Sequence, residues 1–310
     1  MELLAVTRSR TDAAARPFDI RLVAAFFAIY VLWGTTFLAI RIAVLEVPPL
    51  FAAGLRFFIA GALLYGFMRM KGTARPRAAE WRSLAAMALL MFVAVYAPLF
   101  WAEKYVSSGL ASLLEATLPL ITMVIETLVL RRERFRRRVL WPVLIGFAGV
   151  AVLLLAGGSE RFQTIPCLAI LAGGTSWALG SVLTRSMVLP RSKPLTAGAA
   201  MMLGGGTLLA LSALCGEMHP FPHVSLKAGL AILYLIVFGS LVAFTAFVWL
   251  LSRMPATRVA SHAYVNPNVA VALGCLAAGE VVTTHMLIGA VLVLTSVFAI
   301  LRAGSRTSSA

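Results

Sequence analysis

An all-α integral membrane fold of ten spans, built as two five-helix copies of opposite orientation with both termini cytoplasmic, is what this sequence predicts. Three observations carry that prediction. Of 310 residues, 61% are hydrophobic and only 13% charged, with a mean hydropathy of +0.93, which leaves too little polar surface to enclose a water-soluble core. The second half repeats the first: WGTTFLAIR at 33–41 is echoed by WALGSVLTR at 177–185, and PLFAAGLRFFIAGALL at 49–64 by PLTAGAAMMLGGGTLL at 194–209. Lys and Arg, finally, cluster at every second loop, the signature of cytoplasmic loops.

The spans follow in order as continuous apolar runs of about 20 residues, the length that crosses about 30 Å of hydrocarbon. They fall at 22–44, 49–68, 83–102, 108–130 and 138–157, then at 165–184, 194–215, 226–250, 258–279 and 284–302. The runs do not alternate, which excludes a transmembrane β-barrel. An odd number of spans per copy inverts the second copy, an arrangement that places a site near the bilayer midplane. The chain therefore divides into a basic tail at 1–20, a first repeat at 21–160, an inverted second repeat at 161–303 and a short tail at 304–310. The first apolar run lacks a small-x-small cleavage site and reads as a retained span.

The net charge of +15 would suit nucleic acid, but its distribution fits topology better. Arg8 to Arg21, Arg69 to Arg82, the run at 131–138, Arg185 to Lys193, Arg253, Arg258, Arg302 and Arg306 fall on one side, and only Arg41, Lys104, Arg161 and Lys227 on the other. The partners expected are the lipid bilayer and a small-molecule solute, with no nucleic acid. Cys167, Cys215 and Cys275 lie in apolar runs without metal spacing, and His219 and His223 flank two prolines rather than sharing a helical face, so neither a metal nor another cofactor is expected. Gly204, Gly205 and Gly206, like Gly173 and Gly174, read as points of close helix approach.

Candidate site residues are those at midplane depth that would face the interior, because a polar side chain facing lipid is costly. Tyr30, Trp33 and Phe37 form a stripe on the first span, and Trp33 has a counterpart in Trp177 at the same depth. Ser181 follows Trp177 by one turn. Tyr96 and Trp101 lie on the outer half of the third span, where Trp101 serves equally well as an interfacial anchor. On the ninth span His262 and Asn266 share one face, Tyr264 and Asn268 another, and Pro267 frees the carbonyl of Ala263. Glu115 is either a carboxylate for a proton or an amine, or the partner of Arg56 or Arg41 in an ion pair. Aromatic walls with a few amide, imidazole and hydroxyl groups suit an amphipathic solute such as an amino acid, and the lack of a midplane Lys argues against phosphorylated solutes. No HExxH, GxSxG or Walker motif occurs, which disfavours a membrane-embedded enzyme and ATP-driven transport.

Trp33-Gly34-Thr35-Thr36-Phe37, Leu55-Arg56-Phe57-Phe58, the stretch YVSSGLAS at 105–112, Pro267, Gly279-Glu280 and Leu287-Ile288-Gly289 together resemble the drug/metabolite transporter superfamily, EamA type. Within it the chain is most similar to the bacterial amino-acid exporters, including the aromatic amino-acid exporter branch called YddG. The resemblance covers nearly the whole chain. It implies a ten-helix inverted repeat, export from the cytoplasm, a central cavity lined by spans 1, 3, 4, 6, 8 and 9, and a packing or pairing role for Arg56.

Overall fold

The computed structural model describes residues 19–125, 137–156, 161–217, 223–253, 259 and 262–305, and all regular structure among them is helical. Arg8, Arg10 and Arg16, the run from Arg131 to Arg136, His219 and Ser261 lie outside the described residues. The rods are α1 (Ile20–Val44), α2 (Pro49–Met70), α3 (Ala78–Ala102) and α4 (Ser108–Val124), α5 (Arg137–Ala156) and α6 (Arg161–Leu183), α7 (Lys193–Leu214) and α8 (Leu226–Leu251), and α9 (His262–Ala278) and α10 (Thr284–Ser305). Among the described residues, α1, α2, α3, α6, α7 and α8 are long and apolar enough to cross a membrane, and α4, α5, α9 and α10 carry shorter apolar stretches. The chain is a multi-pass membrane protein.

Two elements differ from the expected runs for local reasons. α3 starts at Ala78, before the apolar run, because the Glu80 carboxylate accepts from the Arg77 amide at 2.7 Å and caps a polar first turn. α4 is interrupted at Ala116 and Thr117, just before Pro119, which has no amide hydrogen to continue the ladder. Thr117 Oγ1 satisfies the Leu114 carbonyl at 2.7 Å, a side-chain repair that a break in a membrane helix requires. Wide π-helical turns occur in α1 (Ala28–Leu32), α3 (Leu89–Val93) and α8 (Leu235–Val242).

Each half meets the other along helices whose sequences echo one another: α2 packs most extensively on α7, and α5 packs on α10, which share Leu-Ile-Gly at 144–146 and 287–289. Glycine makes both seams possible. A Cβ on Gly61 would lie 2.2 Å from the Met202 backbone nitrogen, and one on Gly205 2.2 Å from that of Phe58. On the other seam, Gly149 and Gly289 leave room for Val293 and Leu153. Lipid tails are as apolar as the helices, so association relies on this close packing. Gly204 meets Phe92 in the same way and Gly173 the Val95 carbonyl, which fits the packing role expected of both glycine clusters.

At the end of the bundle where α1 gives way to α2, three carboxylates cap helix N-termini contributed by the other half. Glu46 accepts from the Ser225 amide and hydroxyl, both at 2.8 Å, at the start of α8. Glu217 accepts from the amides of Leu50 (3.4 Å) and Phe51 (3.1 Å) at the start of α2, and from Ser212 Oγ at 2.8 Å. Glu280 accepts from the Ser108 amide and hydroxyl, each at 2.9 Å, and the Gly109 amide at 3.1 Å, at the start of α4. An N-terminus presents unpaired N–H groups and a positive dipole end, which a carboxylate satisfies together. Gly216 and Gly279 adopt positive φ values of 71° and 66°, ending α7 and α9 in left-handed turns that aim the next residue, a glutamate in both cases, at its target.

These contacts generate two expectations. Gly205→Leu should lower the thermal unfolding temperature in detergent by an amount equivalent to about 1–3 kcal/mol or more through overpacking, whereas Gly229→Ala, which meets nothing within 4 Å, should be silent. The bonds from Ser225, helped by nearby His223 and Lys227, hold the Glu46 carboxyl below its ordinary 4.5. A lowered folded-state pKa contributes stability above the ordinary value that is lost as pH falls through the lowered one. Wild type should therefore be more heat-stable than Glu46→Gln near neutral pH, and the difference should shrink as pH falls below 4.5.

Candidate functional site

α1 and α9 build the floor of an internal cavity through one amide. The Asn266 side chain satisfies its surroundings when its nitrogen donates to the carbonyls of Ile29 (3.0 Å) and Tyr30 (2.8 Å) and its oxygen accepts from His262 Nδ1 (3.2 Å). The carbonyls it serves belong to the wide turn of α1, where the helical ladder is out of register. Asn266 and His262 are both buried, at 7% exposure. The amide expected to face solute is thus also a tie between helices, because an unsatisfied polar group at this depth is costly.

On this floor stands an aromatic cluster. The Trp33 and Trp177 rings meet edge-on with centroids 6.0 Å apart, Phe247 packs on both at 5.1 and 5.5 Å, and the His262 ring meets Trp33 edge-on at 5.1 Å. Trp33 Nε1 donates to the Gly239 carbonyl at 3.1 Å, which fixes the indole against the wide turn of α8. The two echoed tryptophans therefore meet at the centre. Edge-to-face aromatic pairs contribute about 0.5–1.5 kcal/mol beyond their buried area, so the floor is stiff.

The cavity above it is lined by Trp33, Thr36, Phe37 and Ile40 of α1, Val95, Tyr96 and Leu99 of α3, and Ser112, Glu115, Ala116 and Leu118 of α4. Trp177 of α6 and His262, Ala263, Asn266 and Pro267 of α9 complete the wall. Of the expected residues, Trp33, Tyr96, Glu115, Trp177, His262 and Asn266 are brought together. Glu115 stands where the first segment of α4 ends, and its Oε1 is buried without a protein hydrogen-bond partner. The alternative of an ion pair to Arg41 or Arg56 is not formed: Arg41 Nη1 donates instead to the Glu103 carbonyl.

Other expectations are corrected. Trp101 is 36% exposed and packs at a tilt against Tyr105 rather than entering the cavity, the placement of an interfacial anchor. Ser181 shares the Trp177 face of α6 but lies one turn further along, beyond the cavity wall, with its Oγ enclosed without a partner. Tyr30 packs on Phe26 at 5.4 Å and does not line the cavity. The Tyr264 side chain lies outside the described residues. α8 contributes no lining residue; it backs the cavity through Gly239 and Phe247. Arg56 has no carboxylate partner among the described residues; its Nε donates to Ser240 Oγ at 2.9 Å.

Sequence reasoning passed over Glu103, which follows α3, has 0% exposure and leaves both carboxyl oxygens without a hydrogen-bond partner. It lies within electrostatic reach of Arg41, Glu280, Glu115 and Arg56. It sits in a short connection between apolar runs, and no sequence signal distinguishes it from Lys104 beside it.

The model of the EamA-like transporter family matches this chain twice, over residues 21–155 and 164–302. The chain belongs to the EamA-like transporter family. Among its relatives, an uncharacterized inner membrane transporter of Escherichia coli K12, YedA, is 36% identical over 84% of this chain and 83% of its own. A probable amino-acid metabolite efflux pump of Salmonella typhimurium is 28% identical over 87% of this chain and 91% of its own. A solved crystal structure superposes with a TM-score of 0.63 at 22% identity, covering 91% of this chain and 97% of the other, which shows the shared fold.

If the tryptophan pair forms the cavity floor, Trp33→Ala or Trp177→Ala should lower transport by about tenfold or more while the protein stays folded in the membrane. Trp101→Ala should stay within about twofold of wild type. Initial rates in liposomes of matched protein content check both.

Proposed function

We propose that this EamA-like transporter is a secondary exporter of amino acids, aromatic ones among them, and of related small metabolites, working by alternating access across the bacterial inner membrane. The observation that carries the reading is the cavity itself: an aromatic floor of Trp33 and Trp177 beneath a wall that bears the Glu115 carboxyl. The rings would bury an apolar side chain, and a carboxylate would bind the ammonium group. The names of the YedA and efflux-pump relatives support an inner-membrane exporter of this kind.

The topology proposed is ten spans in two inverted copies, with both termini and the Lys/Arg-rich loops in the cytoplasm. The twofold match to the family model supports the duplication, and the seams between echoed helices fit a pseudo-twofold axis. The carboxylate-capped end would then face outward. Its three caps each join the two halves, whereas on the basic side the described carboxylates Asp19 and Glu80 cap only their own helices. Export requires those caps to release as one part of the bundle rocks on the other.

Counterflow of labelled aromatic and aliphatic amino acids into liposomes, with and without an imposed pH gradient, tests the proposal. Saturable counterflow is the expected result; sound protein that moves no amino acid would overturn the solute class. Glu115→Gln should abolish any response to the pH gradient if this carboxyl carries the proton, and an unchanged response would assign Glu115 to amine binding or structure.

A further inference from the structure

Arg56 is a full positive charge inside the bundle that no carboxylate of the described chain neutralises. It is 1% exposed, one of the largest fully buried side chains, and its Nη1 has no hydrogen-bond partner. Its protein contacts are with neutral groups: Ser240 Oγ on Nε at 2.9 Å, and the rings of Phe57 and Tyr96, whose centroids lie 4.6 and 5.4 Å from Cζ. Glu103 acts on it only through space. Buried charges in membrane proteins are costly unless paired, and the ones retained mark solute or ion pathways.

The position of this cation gives it a use. A Cβ placed on Gly239 would lie 2.8 Å from both Arg56 Nη2 and Thr36 Cγ2, so the guanidinium sits beside the Thr36 methyl group. Thr36 and Tyr96 both line the cavity. The guanidinium is therefore packed against two residues of the cavity wall, Thr36 and Tyr96, without itself lining the cavity that Glu115 borders. Gly239 provides the room it occupies, in the wide turn of α8.

We propose that Arg56 is the carboxylate-recognition group of the cavity, reached when the Tyr96 ring turns aside, so that the preferred solutes carry a carboxylate. Resting on the exporter reading above, this deepens it: Glu115 takes the ammonium group, Arg56 the carboxylate, and the Trp33–Trp177 floor the side chain. A charge-assisted, bidentate-capable guanidinium discriminates strongly against a neutral carboxamide of the same shape. With the solute absent, the aromatic faces of Phe57 and Tyr96 provide partial compensation for the cation.

The test compares L-phenylalanine, L-phenylalaninamide and 3-phenylpropionate on the purified full-length protein, by ligand-induced thermal stabilisation and by counterflow in liposomes. Wild type should prefer phenylalanine to its amide by about ten- to hundredfold, the range set by a hydrogen bond to a charged group. Arg56→Gln should erase that preference while leaving the response to the amide unchanged, and Arg56→Lys should restore part of it. Equal treatment of acid and amide by wild type overturns the proposal without any variant, as does an Arg56→Gln protein that loses both ligands equally. Should Arg56→Gln not fold, Gly239→Ala, which drives a Cβ against the guanidinium, should reduce the same ratio; an unchanged ratio counts against the proposal. If wild type binds neither amino-acid compound, the amino-acid reading fails, and 3-phenylpropionate decides on Arg56: stabilisation of wild type keeps the carboxylate site, and none removes it.

Discussion

A carboxylate seated on the N-terminus of a helix from the other half is the contact on which this architecture turns. Glu46, Glu217 and Glu280 make it three times at one end of the bundle. Each satisfies amide hydrogens that no intrahelical carbonyl reaches, and each joins distant parts of the chain. Because they draw together the starts of α2, α4 and α8, they set the outer boundary within which the cavity lies. The opposite end, rich in Arg and Lys, repels itself and has only local caps among the described residues.

Between that end and the aromatic floor, irregular backbone is concentrated where side chains meet the cavity. The wide turn of α1 supplies carbonyls to Asn266, the wide turn of α8 supplies one to Trp33, and the break in α4 follows Glu115 directly. In hydrocarbon such irregularities survive only where protein groups satisfy the freed backbone. Asn266, the Trp33 indole and Thr117 do so here. The residues that shape the cavity are thus also those that hold its irregular walls, so substitutions among them affect both packing and solute.

Much of this was legible before any coordinates. Apolar run length located the helices, since nothing but burial in lipid explains such runs, and the echo of Trp33 in Trp177 identified a pair that indeed meets at the centre. The seam glycines were legible as small residues, although the precise partner of each was not. What failed did so because a shared helical face does not fix where a cavity ends: Ser181 and Tyr30 lie one turn from Trp177 and Trp33 on the same faces yet beyond the cavity wall, and Trp101 is partly exposed at the end of α3. Long-range pairing was equally hidden. A carboxylate at Glu115 and a guanidinium at Arg56, at similar depth, suggested a bond, yet the structure leaves both without one and buries Glu103, a residue of a connecting turn, instead.

The Glu280 cap has a consequence for how the protein is made. Ser108 and Glu280 are separated by 172 residues, so the Ser108 and Gly109 amides of α4, which the local Ser107 cap does not reach, stay uncapped until the last helices have been synthesised. The same holds for the start of α2, which waits for Glu217. A five-helix copy made alone would keep these polar ends open to any donor or acceptor nearby, including those of another such copy. Carrying both family-matched halves in one chain therefore supplies the missing caps at a one-to-one ratio and in fixed order, and it turns assembly from an encounter between molecules into the final step of translation.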